Sequence, residues 1–135
     1  MKNLLGLALL SAFLGLAPAQ AQQSVFVPAT TTSVNVVGTV AGITKIISGV
    51  SSQRIYLTAV ALHPASTSVV TLSQGTGTNC GTSTAVIYGP STFGAQENWY
   101  QGSGYGALFA LIAGNDLCIT IGTAVAPGFI SYSQF

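Results

Sequence analysis

Hydrophobic and polar residues alternate along most of this chain in short runs of period two, and almost nowhere with the spacing of an amphipathic helix. Val, Ile, Thr, Tyr and Phe fill the runs, while Gly, Ser, Asn and Pro separate them, which is the texture of strands and turns. The pattern predicts strands over Ser33–Val37, Ile43–Ile47, Arg54–Leu62, Ser68–Ser73, Ala85–Tyr88, Asn98–Gln101, Ala107–Ala113, Leu117–Ile121 and Gly128–Phe135, with a short extended piece at Val25–Val27. Strict alternation places Val34 and Val36 together on one face. In Arg54–Leu62 it places Ile55, Leu57, Ala59 and Ala61 on one face and Tyr56, Thr58, Val60 and Leu62 on the other. Two largely apolar faces are expected of a central strand. The last run sets Phe129, Ser131, Ser133 and Phe135 against Ile130, Tyr132 and Gln134.

Gly114-Asn115-Asp116, between two apolar runs, predicts a tight hairpin, because these residues tolerate turn conformations. Pro90–Gln96 reads as a loop and Gln74–Ser83 as a glycine-rich excursion. No repeat of solenoid or propeller length is present. The expected fold is an all-β, single-domain antiparallel β-sandwich, jelly-roll-like, with about eight or nine strands.

The N-terminus changes this picture only by adding a leader. Lys2, the apolar run Leu4–Leu16 and Ala19-Gln20-Ala21 have the charge, core and cleavage site of a secretory signal peptide. The organisation expected is a signal peptide over 1–21, an N-terminal arm over 22–32 and the sandwich over 33–135. The apolar run is shorter than the roughly 20 residues a span requires, so no membrane span is expected in the mature chain. The destination is secreted or extracellular, or the bacterial periplasm or cell surface. The stretch Gln22–Val37 suits addition of a strand to a neighbouring copy. Export reaches an oxidising compartment, where the two cysteines allow one pairing, Cys80 with Cys118. Closing that loop stabilises the fold by about 4 kcal/mol in chain-entropy terms.

Charge is where the composition departs most from an ordinary domain. Only 4% of residues are charged, against about a quarter in a typical soluble domain. Past residue 21 the charges are Lys45, Arg54, Glu97 and Asp116, which cancel. Two carboxylates in different environments are the minimum for acid–base work on glycosides. Asp116 is already accounted for by the turn, and Glu97 lies in a polar loop. His63 with Asp116 supplies two members of a Ser–His–Asp set, but no serine stands in a nucleophile elbow. No cofactor or metal is expected from one His, two acids and a cystine. Two basic residues do not make a phosphate-binding stripe, so no nucleic-acid partner is expected. Gly75-Thr76-Gly77 and Gly102-Ser103-Gly104 precede no helix and lack a phosphate-loop context. The chain is expected to be no enzyme. A neutral surface lacks self-repulsion, which points to a homo-oligomer.

The segment Glu97–Gly106 carries the only tryptophan, Trp99, with Asn98, Tyr100 and Tyr105 among small polar residues. Such a set suits sugar stacking or protein contact, with a cell-surface glycan or protein as partner. The other reading makes Trp99 a core plug beneath a long loop.

The string Gly75-Thr76-Gly77-Thr78-Asn79-Cys80-Gly81-Thr82-Ser83-Thr84, with Gly114-Asn115-Asp116-Leu117-Cys118-Ile119-Thr120 downstream and the ending Gly128-Phe129-Ile130-Ser131-Tyr132-Ser133-Gln134-Phe135, resembles small β-sandwich structural proteins of tailed bacteriophages and prophages, here in a secreted form. The resemblance covers roughly Arg54–Phe135. It implies a virion-type role in decorating a capsid, fibre or spike, association through β faces, and the Cys80–Cys118 pairing. It brings no catalytic residue. The expected function is therefore a non-enzymatic secreted module that self-associates into a coat, spike or filament. The alternative is a secreted glycan- or receptor-binding sandwich that uses the aromatic segment 97–106.

Overall fold

The computed structural model describes residues 31–36, 42–102, 106–123 and 126–135. The leader, the arm before residue 31, the piece at Val25–Val27 and Tyr105 lie outside them. The described chain is all-β, with nine strands: β1 (Thr32–Val36), β2 (Gly42–Ile47), β3 (Ile55–Leu62), β4 (Ser68–Thr76), β5 (Thr82–Phe93), β6 (Trp99–Gly102), β7 (Phe109–Ala110), β8 (Asp116–Ile121) and β9 (Gly128–Gln134). A single 3-10 turn, Thr78–Cys80, is the helical element among the described residues.

The strands form two antiparallel sheets. One has the order β1-β9-β3-β6, with β7 also paired to β3; the other has the order β2-β8-β4-β5. The first half of the chain pairs with the second in reverse: β1 with β9, β2 with β8, β3 with β6 and β7, β4 with β5. This is one long folded hairpin rolled on itself, the jelly-roll arrangement. Between the sheets lies an apolar core that includes Ile55, Leu57, Val60, Leu62, Val70, Leu72, Leu117, Ile119, Ile121 and Ile130.

Four expectations from the sequence pattern are corrected by tertiary packing. In β3 the phase breaks. Leu57 pairs with Tyr132 and Ala59 with Ser131, leaving Thr58 as a bulge. An extra residue turns the following side chains over. Ile55, Leu57, Val60 and Leu62 are therefore all buried, and Ala59 and Ala61 face outward.

The segment around Gly114-Asn115 is not a hairpin. β7 pairs with β3 in one sheet, and β8 lies between β2 and β4 in the other, so the connection crosses the sandwich. Gln74 explains how: its buried Oε1 accepts the N–H of Ile112 at 2.7 Å, while Gly114 N–H donates to Gln53 O at 2.9 Å.

β5 runs through Pro90 to Phe93 where a loop was expected. It is an edge strand, where proline's missing N–H costs no ladder bond. Gly89 and Pro90 fall in an irregularity between the pairs Val70–Ser91 and Leu72–Tyr88. Gly89 has φ +88, and a Cβ there would lie 2.5 Å from Val70 O.

The excursion at Gln74–Ser83 is shorter than its glycines suggest. β4 continues to Thr76 and β5 starts at Thr82, leaving only a hairpin tip. Thr32–Val36 pairs with β9 of its own chain and forms one border of that sheet.

Asp116 begins β8 and is 8% exposed. Its Oδ1 accepts the Gly49 N–H at 2.8 Å, and its Oδ2 lies 3.3 Å from Lys45 Nζ. The Lys45 side chain is more than a third exposed, so the ion pair itself is worth about 0–1 kcal/mol. The bond to the part-buried Gly49 amide matters more. Asp116→Ala is expected to cost about 1–3 kcal/mol by leaving that amide unpaired. Asp116→Asn, which keeps an acceptor, should cost less. Urea midpoints at unchanged slope measure both; equal losses would assign the effect to the ion pair.

Candidate functional site

Trp99 and Tyr100 are adjacent in β6, and the pleat sends them to opposite sides. Trp99 points inward and is 6% exposed. Its ring stacks on Tyr88 of β5, with centroids 4.5 Å apart, and on Phe93, 5.3 Å apart; Tyr88 also meets Phe109 of β7 at 6.2 Å. Here the edge strand β5 of one sheet faces β6 and β7 of the other. The aromatic group fills the mouth of the sandwich between them. The indole Nε1 has no hydrogen-bond partner among the described residues. Trp99 thus sits as a core plug, with one part reaching the groove described next.

Tyr100 is on the outer face and is 69% exposed. A Cβ on Gly102 would lie 3.4 Å from Tyr100 Oη and 3.8 Å from Cζ. The ring therefore lies along β6 over the bare backbone of Gly102, with its other side toward solvent. Register sets its neighbours. Ala61 pairs with Tyr100 on one side and with Phe129 on the other. The bulge at Thr58 is what turned Ala61 outward. Phe129, Ala61 and Tyr100 consequently form one rung, large–small–large, with the outer strands about 10 Å apart. Phe129 is 39% exposed.

A cavity of about 300 Å³ opens at this rung, lined by Ala61, His63, Asn98, Tyr100, Pro127 and Phe129 among others. Its polar end is built from three loops. His63 N–H donates to Pro127 O at 2.9 Å, and Gln96 N–H donates to Pro64 O at 2.9 Å. Glu97 Oε2 accepts the Gly94 N–H at 2.6 Å, closing the turn that leads to Asn98. These bonds bring Asn98 Oδ1 to 2.7 Å from His63 Nδ1, with both side chains exposed.

The site residues named from sequence divide accordingly. Asn98 and Tyr100 line the groove, Trp99 is mostly behind it, and Tyr105 lies outside the described residues. Ala61, His63 and Phe129 as groove residues were missed. The alternation of Gly128–Phe135 does put Phe129 outside, but only strand register places it across from Tyr100. His63 and Asp116, considered together for catalysis, stand at opposite ends of the sandwich. β3 ends beside the start of β4 at Ser68, while Asp116 pairs with Gly75, about 20 Å further along that strand. Among the described residues no three His, Cys, Asp or Glu side chains group together as a metal site.

The other sheet carries the cystine. Cys80 and Cys118 are bonded, with Cα atoms 6.2 Å apart and both residues fully buried. Cys118 pairs with Ser73 and Lys45 in the ladder. The bond draws the tip Thr78–Cys80 back over this sheet. There Cys80 covers Gly75, and Asn79 Oδ1 accepts the Lys45 N–H at 3.3 Å on edge strand β2.

No protein-family model matches this chain, and no curated protein or solved structure shows significant similarity to it. Among the described residues no helix is long and apolar enough to cross a membrane, and the cystine is consistent with an extracellular location.

Proposed function

We propose that this chain is a non-enzymatic, secreted structural module that self-associates into a coat, spike or filament. The observation that carries this reading is the β5 edge. Thr82–Val86 are all exposed at the border of a sheet, and Val86 is 58% exposed. No charged residue occurs anywhere in β5. Open edges are ordinarily guarded by lysines or other charges because unpaired N–H and C=O groups recruit strands from other molecules. The opposite border of the same sheet differs: β2 carries Lys45, and its amide is already taken by Asn79. The two borders are therefore unequal, which favours β5 pairing with β5 across a twofold axis.

The charges support the non-enzymatic part. Lys45 and Asp116 pair with each other, and Glu97 holds a turn. The resemblance to phage structural sandwiches points the same way, as does the near-zero net charge of the exported chain.

Light scattering after size exclusion tests the reading. The wild-type protein is expected to elute as a dimer or larger species. Val86→Lys, which places a charge on the open edge, should shift it to monomer with an unchanged circular dichroism spectrum. A wild-type monomer at high concentration removes the proposal; a Val86→Lys oligomer moves the contact away from β5.

A further inference from the structure

We infer that the groove between Phe129 and Tyr100 is a binding site for an uncharged pyranose sugar. The inference concerns the sheet opposite the β5 edge and does not depend on self-association there.

The lining sets the ligand's charge. It includes no Lys, Arg, Asp or Glu and is mostly apolar; its polar side-chain groups are those of His63 and Asn98 at one end, the Tyr100 hydroxyl and the buried Trp99 indole N–H. An anionic or cationic ligand would lose its hydration without gaining a partner, so the ligand is neutral.

The shape sets its form. Tyr100 offers an exposed aromatic surface backed by Gly102, and Ala61 forms a low floor between it and Phe129. A flat ligand with one apolar face fits against such a platform. A pyranose has that face in its axial C–H groups, and aromatic side chains with an apolar body and a polar tip suit mixed surfaces of this kind.

The polar pair sets the recognition. When His63 Nδ1–H donates to Asn98 Oδ1, the neutral imidazole leaves Nε2 as an acceptor, and the Asn98 Nδ2 group keeps donors. If the amide is turned over, Nδ2 donates to Nδ1, and the pair instead presents Nε2–H and the free Oδ1. Either arrangement offers a donor and an acceptor side by side. Neighbouring sugar hydroxyls, each both donor and acceptor, match that set. The three loops joined by the His63–Pro127 and Gln96–Pro64 bonds hold the pair in place before a ligand arrives, which lowers the ordering cost of binding.

The test is an NMR titration of the full mature chain with the methyl glycosides of glucose, galactose, mannose and N-acetylglucosamine. It is run in the Val86→Lys background so that association does not broaden the spectra. At least one glycoside is expected to shift backbone amides of residues 61–63, 98–100 and 128–129, with saturation. Tyr100→Ala should weaken that binding about tenfold or more, through loss of the stacking surface. Asn98→Ala should also weaken it while leaving the thermal midpoint unchanged. Absence of shifts with every glycoside, shifts confined to another face, or equal affinity in wild type and Tyr100→Ala would each overturn the inference. If Val86→Lys is still oligomeric, the edge proposal fails while the titration, read from the same residues, still decides this one.

Discussion

Replacing Trp99 by alanine is expected to destabilise the protein by about 3–5 kcal/mol, the range for emptying a large buried aromatic site. Trp99 is almost fully buried and stacks on Tyr88 and Phe93 where the two sheets part. Its removal would leave a void bounded by strands of both sheets, and neither β5 nor β6 can close it without breaking its own pairing. For a domain of this size the loss corresponds to a fall of roughly 15 °C in the thermal midpoint. Because the indole N–H has no hydrogen-bond partner among the described residues, the contribution is one of packing. Tyr100→Ala, one residue along, should change stability by no more than about 0.5 kcal/mol, as at other exposed positions. Differential scanning calorimetry of the two variants separates the residues cleanly. A small effect at Trp99 would mean that the aromatic group does not hold the sheets together. The contrast matters for function as well, since loss of ligand binding in Trp99→Ala would report unfolding and in Tyr100→Ala would report the site.

Removing the cystine is expected to have an effect of similar size by a different route. Cys80 and Cys118 are 38 residues apart in sequence. Opening a loop of that length returns about 4 kcal/mol of chain entropy to the unfolded state, again roughly 15 °C in midpoint. The Cys80→Ala, Cys118→Ala double variant avoids burying new hydroxyl groups. Its loss should be uneven across the fold. The hairpin tip has little apolar surface of its own, and Asn79, Cys80 and Ser83 all hold positive φ without being glycine. Such residues persist only where the surroundings constrain them, and the bond to Cys118 is that constraint. Hydrogen exchange should therefore quicken first at residues 76–84, before β3 and β9 respond. Uniform exchange, or an unchanged midpoint, would show that the tip is held by its hydrogen bonds alone.

Much of the strand content was readable because the signal is local. β-branched and aromatic runs bounded by Gly, Ser and Pro depend only on near neighbours, and seven of the nine observed strands overlap their predicted ranges closely, while β5 runs from Thr82 to Phe93 around a predicted Ala85–Tyr88. β7 errs the other way: Ala107–Ala113 predicted a full strand, and only Phe109–Ala110 pairs. The errors share one cause. Alternation assumes an unbroken pleat, and Thr58 breaks it. A turn signal such as Gly114-Asn115 says that the chain bends; it does not say whether the next strand joins the same sheet. Proline in β5 reads as a loop until its place on an edge is known.

The candidate site divides along the same line. Asn98 and Tyr100 were legible from composition, because aromatic and amide side chains among small residues mark contact surfaces. Ala61 carries no such mark, and its role as the floor between Phe129 and Tyr100 comes from pairing partners 39 and 68 positions away. His63 stands out in the sequence only as a lone histidine; the strand order places it in the groove, far from Asp116.

What the sequence determined by itself was a charge-poor, all-β chain with one possible cystine, since composition, period and cysteine count need no partner to act. Which residue faces the core, which strand follows which across the sandwich, and which side chains meet in the groove were decided only by the tertiary structure. Those outcomes depend on register between distant strands, and register is set when the apolar faces of both sheets are buried together.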